Sequence, residues 1–344
     1  MAYRTQGGPS LSVARGTRAL TPFGRVSTGL FLALITLSPL QAQSQRELQL
    51  SVLASRLASI QAVTGYEQSL VDTLLRLLPG ASRDRAGNAR RQLGSGSPKR
   101  LVVCPLDEPG YVVGSIRRDG YLTLRRVGAR VSVLFDQQIE GQQVTISARR
   151  PVPGVVAVRS IHLTRGRSPP NELPFTVDDA YVDAGAGSQS EVAALGIRVL
   201  APVTLAKRPH SYGSSLLAAP MAGRRTACAA LVLAARQSQG RAQLIPSVMV
   251  AFAVEHELSE RGLGTLANEL GPFQETVLVD SRPGTRGALQ QAPDSITAGR
   301  WPLLGRVMSW TLPVSYPGTP VETVAMSDAD SLTNALVRWI GGDR

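Results

Sequence analysis

PSVMVAFAVEHELSERG, residues 246–262, decides how this chain is read. Its second half, His256-Glu257-Leu258-Ser259-Glu260, stops one residue short of the zinc-protease motif H-E-x-x-H. That motif works only on a helix, where residues four apart share a face. Here the apolar run Val248–Val254 has strand length and leads directly into Glu255-His256-Glu257. We therefore read a buried strand with His256 and Glu257 at its carboxyl end, where Glu260 does not share a helical face with His256. The zinc-protease reading fails. Carboxyl ends of strands are nevertheless where open α/β sheets hold ligands, so the pair stays a candidate site.

Working outward, "ETVLVDSRPG" (275–284) reads as a second buried strand, while "RRTACAALVLAARQSQG" (224–240) and "ERGLGTLANEL" (260–270) have helical composition. Alternating helix and apolar strand predicts a parallel or mixed α/β sheet. Upstream, residues 47–79 place Leu48, Leu50, Leu53 and Leu57, then Leu70, Val71, Leu74, Leu75, Leu77 and Leu78, at helical spacing. This predicts two amphipathic helices broken at Thr64-Gly65. Residues 80–99 are polar and Gly-rich, and are read as loop. A short apolar strand begins at residue 100, followed by a hairpin whose turn is signalled by Asp119-Gly120. Residues 121–207 look all-β, with Gly and Pro turns. The expected organisation is an α/β domain, 43–119 and 209–344, interrupted by a β-rich insert at 120–208.

The chain of 344 residues carries a net charge of +12, almost all of it from arginine, since Lys99 and Lys207 are the only lysines. The arginines are scattered without aromatic interleaving, so nucleic acid is not the expected partner, and binding of anionic polymers is a weaker third reading. Residues 1–28 hold Arg4, Arg15, Arg18 and Arg25 and no acid; an apolar run, Gly29–Leu40, and a small-residue exit at Ala42 follow. This is the plan of a secretory leader spanning 1–42, too short in its apolar part to cross a bilayer comfortably. Its removal leaves +8 and no transmembrane span. The mature protein is expected to be exported, periplasmic or extracellular. Two cysteines, Cys104 and Cys228, are either one bridge or two buried thiols.

The order of elements resembles the tetrahedral, or glutamyl, aminopeptidases, also called the "cellulase M" family. The likeness rests on "VTGYEQSLVDTLLRLL", "LDEPGYVVGSIRRDGYLTLRRVG", "GQQVTISARRPVPGVVAVRSIHL" and "YVDAGAGSQSEVAALGIRVLAPVTL", and extends over roughly residues 48–340. The resemblance implies a mixed-sheet peptidase domain with an inserted β-barrel-like dimerisation domain. It also implies a water held between two divalent metals, with a glutamate as general base. Position by position, this sequence departs from that chemistry. The family's H-x-D-E string reads Pro105-Leu106-Asp107-Glu108, so the histidine ligand is a proline while the orienting Asp107 remains. The Asp-Asp-Arg string with the bridging aspartate reads Gly223-Arg224-Arg225. The base falls on His256 and its neighbouring ligand on Glu257; the next ligand is Asp280, and the last histidine is replaced by Gly318.

Two of five ligands, Glu257 and Asp280, therefore remain. A single-metal site of His256, Glu257 and Asp280 is one reading, and acid–base work by His256 with a carboxylate such as Asp107 is another. Ser259 and Ser281 lie nearby in sequence, without the Gly-x-Ser-x-Gly elbow that would activate a serine. The favoured reading has Arg224 or Arg225 paired with Glu257 and Asp280, a guanidinium filling the place of the metals. If the family's neighbours adjoin here, Cys104 and Cys228 would form a disulfide flanking the replaced positions. His162 and His210 carry no motif. The expected function is that of a non-catalytic, exported aminopeptidase homologue without a cofactor, used in binding or assembly and self-associating through its insert. The alternative is a peptide hydrolase with an altered or single zinc or cobalt centre.

Overall fold

The computed structural model describes residues 39–128, 135–157, 175–239 and 246–342. The leader lies outside them, except that residues 39–42 begin the first helix; His162 also lies outside. The chain opens with α1 (Pro39–Ala58) and α2 (Gln68–Leu77), then β1 (Ser82–Arg83), β2 (Ala89–Leu93) and β3 (Gly96–Pro105). Next come β4 (Gly110–Ile116), β5 (Leu122–Val127), β6 (Gln143–Ile146), β7 (Val152–Ala157), β8 (Tyr181–Asp183), α3 (Gln189–Ala194) and β9 (Pro202–Leu205). They are followed by β10 (His210–Tyr212), β11 (Leu216–Ala218), α4 (Ala222–Ser238), β12 (Pro246–Ala253), α5 (His256–Ser259), α6 (Arg261–Leu270) and β13 (Glu275–Pro283). The last elements are β14 (Gln290–Pro293), α7 (Ser295–Arg300), β15 (Arg306–Val314), β16 (Thr323–Ala325) and α8 (Met326–Gly341).

Seven strands form a mixed sheet in the order β1-β2-β12-β3-β13-β15-β14, parallel from β12 through β15. Its core strands are apolar on both faces because helices cover both. Along β12, Val248, Val250 and Phe252 pack on the side of α1, α2, α4 and α8, while Ala251 and Ala253 pack on the side of α6. Strands β4-β5-β8-β7-β6-β9 close into a barrel with its own core of Tyr111, Leu122, Ile139, Val182 and Val203 among others. A third, small sheet, β10-β11-β16, adds its Leu217 and Val324 to the core of the seven-stranded sheet.

Several expectations are corrected. Residues 80–99 are not loop. β2 pairs antiparallel with β12, burying Ala89 and Leu93, and β3 already begins at Gly96. The polar residues that disguised it are structural: Asp84 Oδ1 accepts from the N–H groups of Ala86, Gly87 and Asn88, and Asn88 Oδ1 accepts from Val254 N at 2.9 Å. The barrel takes in β4, so it starts at Gly110, ten residues ahead of the boundary read at 120. The insert also contains a helix, α3, whose Ser188 cap and Glu191 form its local signal; Ser188 Oγ accepts from Glu191 N at 3.3 Å. Finally, β12 ends at Ala253, and His256-Glu257 open the single helical turn α5 after a left-handed Glu255 (φ 53°).

Candidate functional site

Strands β12, β3 and β13 point their carboxyl ends at the first turn of α4, and the candidate residues meet there. Asp107 follows β3, Glu257 lies on α5 after β12, and Asp280 is near the end of β13. Arg224 sits between them. Its Nε and Nη2 donate to Asp280 Oδ1 and Oδ2 at 3.0 and 2.9 Å, a two-pronged pair. Its Nη1 donates to Glu257 Oε1 at 2.8 Å and to the Asp107 carbonyl at 2.6 Å. Burial alone would favour the neutral form, but Asp280 and Glu257 outweigh it and drive the Arg224 pKa up, so the guanidinium is firmly charged.

Arg225, fully buried, faces a different acid. Its Nη2 donates to Glu108 Oε2 at 3.1 Å, and its Nη1 donates to the Leu106 carbonyl. The same Glu108 oxygen accepts from Lys207 Nζ at 2.6 Å, while Oε1 accepts from Ala62 N at 3.1 Å. Burial would push the Glu108 carboxyl up, yet Lys207 and Arg225 beside it hold it below its ordinary value. Burial lowers Lys207, and the nearby Arg225 charge adds to the effect. Of the two arginines offered as partners of Glu257 and Asp280, Arg224 alone takes that place.

Asp107 is fully buried. Its Oδ2 accepts from Thr64 Oγ1 at 2.9 Å and from Glu257 N at 2.8 Å, whereas Oδ1 has no hydrogen-bond partner among the described residues. His256 is half-buried on α5 and its imidazole makes no hydrogen bond or ion pair among the described residues. Glu260, four residues on, accepts from Trp301 Nε1 at 3.0 Å, so it is not turned toward His256 as a motif partner. His210 is exposed on β10, its ring 5.9 Å from that of Tyr212 and away from these groups. Ser281 packs against Gly223 and is not paired with His256.

Gly223 and Gly318 are held by a residue that local sequence pattern does not mark. Glu322, buried, accepts from Gly223 N through Oε1 at 2.9 Å and from Gly318 N through Oε2 at 3.1 Å. Burial pushes its carboxyl up, against the pull of those two N–H groups. Lys207 carries no sequence motif. The signal for it was a single long cation between two β-rich stretches, which local pattern does not distinguish from a surface residue. Cys104 on β3 and Cys228 on α4 are joined as a disulfide with Cα atoms 5.5 Å apart, four residues along the helix from Arg224. Both are buried beneath the cluster. Among the described residues no group of three or more His, Cys, Asp or Glu side chains is placed to hold a metal ion.

The model of the M42 glutamyl aminopeptidases matches residues 87–294, more than half of the chain. The putative aminopeptidase SgcX of Escherichia coli (strain K12) is 28% identical over 219 residues, 61% of this chain and 57% of that protein. Such matches span 57–63% of the curated relatives' own lengths. In fold, the aminopeptidase APDkam598 from the archaeon Desulfurococcus kamchatkensis superposes with a TM-score of 0.72 at 18% identity, over 86% of this chain and 95% of that one. The TET1 peptidase of Pyrococcus horikoshii, which can assemble into a tetrahedron or a large octahedral shell, gives 0.73 at 19% identity, over 85% and 99%. With the family match covering five of the seven sheet strands, the barrel and the helix that carries Arg224, the chain belongs to the M42 glutamyl aminopeptidase family.

Proposed function

We propose that this chain is a non-catalytic, exported member of its family, retained for binding or assembly. One observation carries the reading: the guanidinium of Arg224 lies between Glu257 and Asp280 and uses three of its nitrogens on them and on the Asp107 carbonyl. The donor set does not fit a pair of divalent cations. Pro105, Gly223 and Gly318 offer no side-chain ligand, and the two carboxylates that remain are already paired with a fixed cation that would repel a metal. Nor can a bridging carboxylate simply be restored. A Cβ on Gly223 would lie 2.4 Å from Val314 Cγ1 and 2.5 Å from Ser281 Cβ, so neighbours fill that space. Asp107 Oδ1, left without a partner, supports the loss of a histidine that it once oriented.

Export is supported by the leader pattern in 1–42 and by the Cys104–Cys228 disulfide, which persists in oxidising compartments. Assembly through the barrel is supported by an exposed groove on its side where Tyr66, Leu195, Val199 and Leu200 present apolar surface. The deciding experiment is metal analysis of the purified protein together with an N-terminal aminoacyl-substrate assay. We expect no stoichiometric zinc or cobalt and no turnover. Bound metal with turnover that Glu257→Ala abolishes would instead establish the altered peptide hydrolase.

A further inference from the structure

The barrel presents two surfaces of opposite character. One is the groove at the β6–β7 turn, where Arg149, Arg150 and Arg198 stand among the exposed Leu195, Val199 and Leu200. No acidic side chain lines it, and the three arginines make no hydrogen bond or ion pair among the described residues. The other is the outer wall formed by β7 and β8, where Val155 pairs with Asp183 and Ala157 with Tyr181. Val155 is exposed, and the exposed Asp178 and Asp179 lie just ahead of Tyr181. From Phe175 to Ile197 the chain carries four acids and no Lys or Arg, in a protein of net charge +12. Two arginines of β5 border this wall. Arg126, which feels the charge of Asp178, is spent on Asp136 at 3.0 Å, leaving the exposed Arg125 against three aspartates.

Strand register sets the two surfaces apart. The turn before Val152 belongs to the groove, whereas Asp178 and Asp179 precede Tyr181, the partner of Ala157 at the other end of β7. Five steps of strand separate those ends by roughly 17 Å, so one copy does not join its own groove to its own aspartates. A patch that pairs about a two-fold axis meets itself. In this groove, that would bring two sets of three arginines together with no acid between them, and like charges oppose such a contact. We propose that the groove instead receives the acidic wall of a second copy. Arg149, Arg150 and Arg198 would meet Asp178, Asp179 and Asp183, while Leu195, Val199 and Leu200 lie against Val155 and Tyr181. Each copy then offers one groove and one wall, and assembly runs head to tail. This rests on the self-association proposed above and adds to it the partner surface and the polarity of the contact.

Light scattering coupled to gel filtration reads both. The parent should run above the 36.5 kDa of one chain at low salt. Its mass should fall between about 0.05 and 0.5 M sodium chloride, where a purely apolar contact would not weaken. Arg149→Glu/Arg150→Glu/Arg198→Glu inverts the groove. Asp178→Asn/Asp179→Asn/Asp183→Asn neutralises the wall, keeping a side-chain oxygen for the N–H groups of Thr176 and Gly185. Each variant alone should be a single chain. Mixed in equal amounts they should form dimers and nothing larger, because one intact groove meets one intact wall. Each variant tests the contact from its own side, so if one does not fold, the other and the salt series decide. A parent that is a single chain at low salt overturns the assembly reading and this contact together. If the parent associates but a folded variant keeps the parent's mass, or the mixture stays at one chain, the head-to-tail contact alone is overturned.

Discussion

Arg224 and Arg225 are adjacent in sequence and occupy the first turn of α4, where the helix dipole disfavours cations. Each is tolerated because carboxylates surround it: Glu257 and Asp280 for one, Glu108 for the other. Removing the cation while leaving the acids buried is costly. Arg224→Met should lower stability by about 3–5 kcal/mol, measured by denaturant unfolding. Most of that loss should return when Glu257→Gln and Asp280→Asn are added, because the penalty is the stranded charge and not the missing contact. Glu108 gives a pH signature. Its folded value lies below the ordinary 4.5, so its contribution is complete above 4.5 and is lost as pH falls through the folded value. The stability gap between the parent and Glu108→Gln should therefore be constant above that pH and close below it, in melting curves taken across the acid range. At this scale sequence placed an arginine beside the orphaned acids but left two candidates, since neighbours on a helix point about 100° apart and local pattern does not say which acid each one meets.

Helix α4 is the element on which the site depends. It runs from Gly223, whose lack of a side chain lets Ser281 and Val314 close in, through Arg224 and Arg225 to Cys228, which is tied to β3. The helix end, two strand ends and the disulfide thus form one packed unit. Gly223→Asp, which places a carboxylate where the resemblance expects one, should destabilise by about 1–3 kcal/mol through overpacking. It should not yield metal-dependent thermal stabilisation in zinc or cobalt, which calorimetry with and without metal would show. The sequence made α4, β12 and β13 legible because their apolar periodicity is strong. It missed β2 because Arg90, Arg91 and Gln92 hide a strand whose only fully buried residues are Ala89 and Leu93. Polar composition reads as loop unless the partner strand is known, and that partner, β12, lies more than 150 residues away.

At the scale of the whole molecule, the barrel and the sheet have separate cores and meet at the cavity lined by Lys207 and Thr204. The groove that exposes Leu195, Val199 and Leu200 should make the protein self-associate, and light scattering coupled to gel filtration should give a mass above that of one 36.5 kDa chain. Replacing Leu200 and Val199 by charged residues should shift that mass down without unfolding the barrel, because both side chains point to solvent. By itself the sequence determined the fold class and the presence of an insert, and the resemblance it carries made Pro105, Gly223 and Gly318 the expected places of exchanged ligands. Periodicity and residue identity are local properties, so one chain suffices to read them. Only the tertiary structure decided that Arg224 fills the site, that Glu322 ties Gly223 to Gly318, and that Lys207 shares Glu108 with Arg225. Each of those contacts joins segments about 100 residues or more apart in at least one of its links. Strand register and helix approach fix such distances, and no short stretch of sequence contains them.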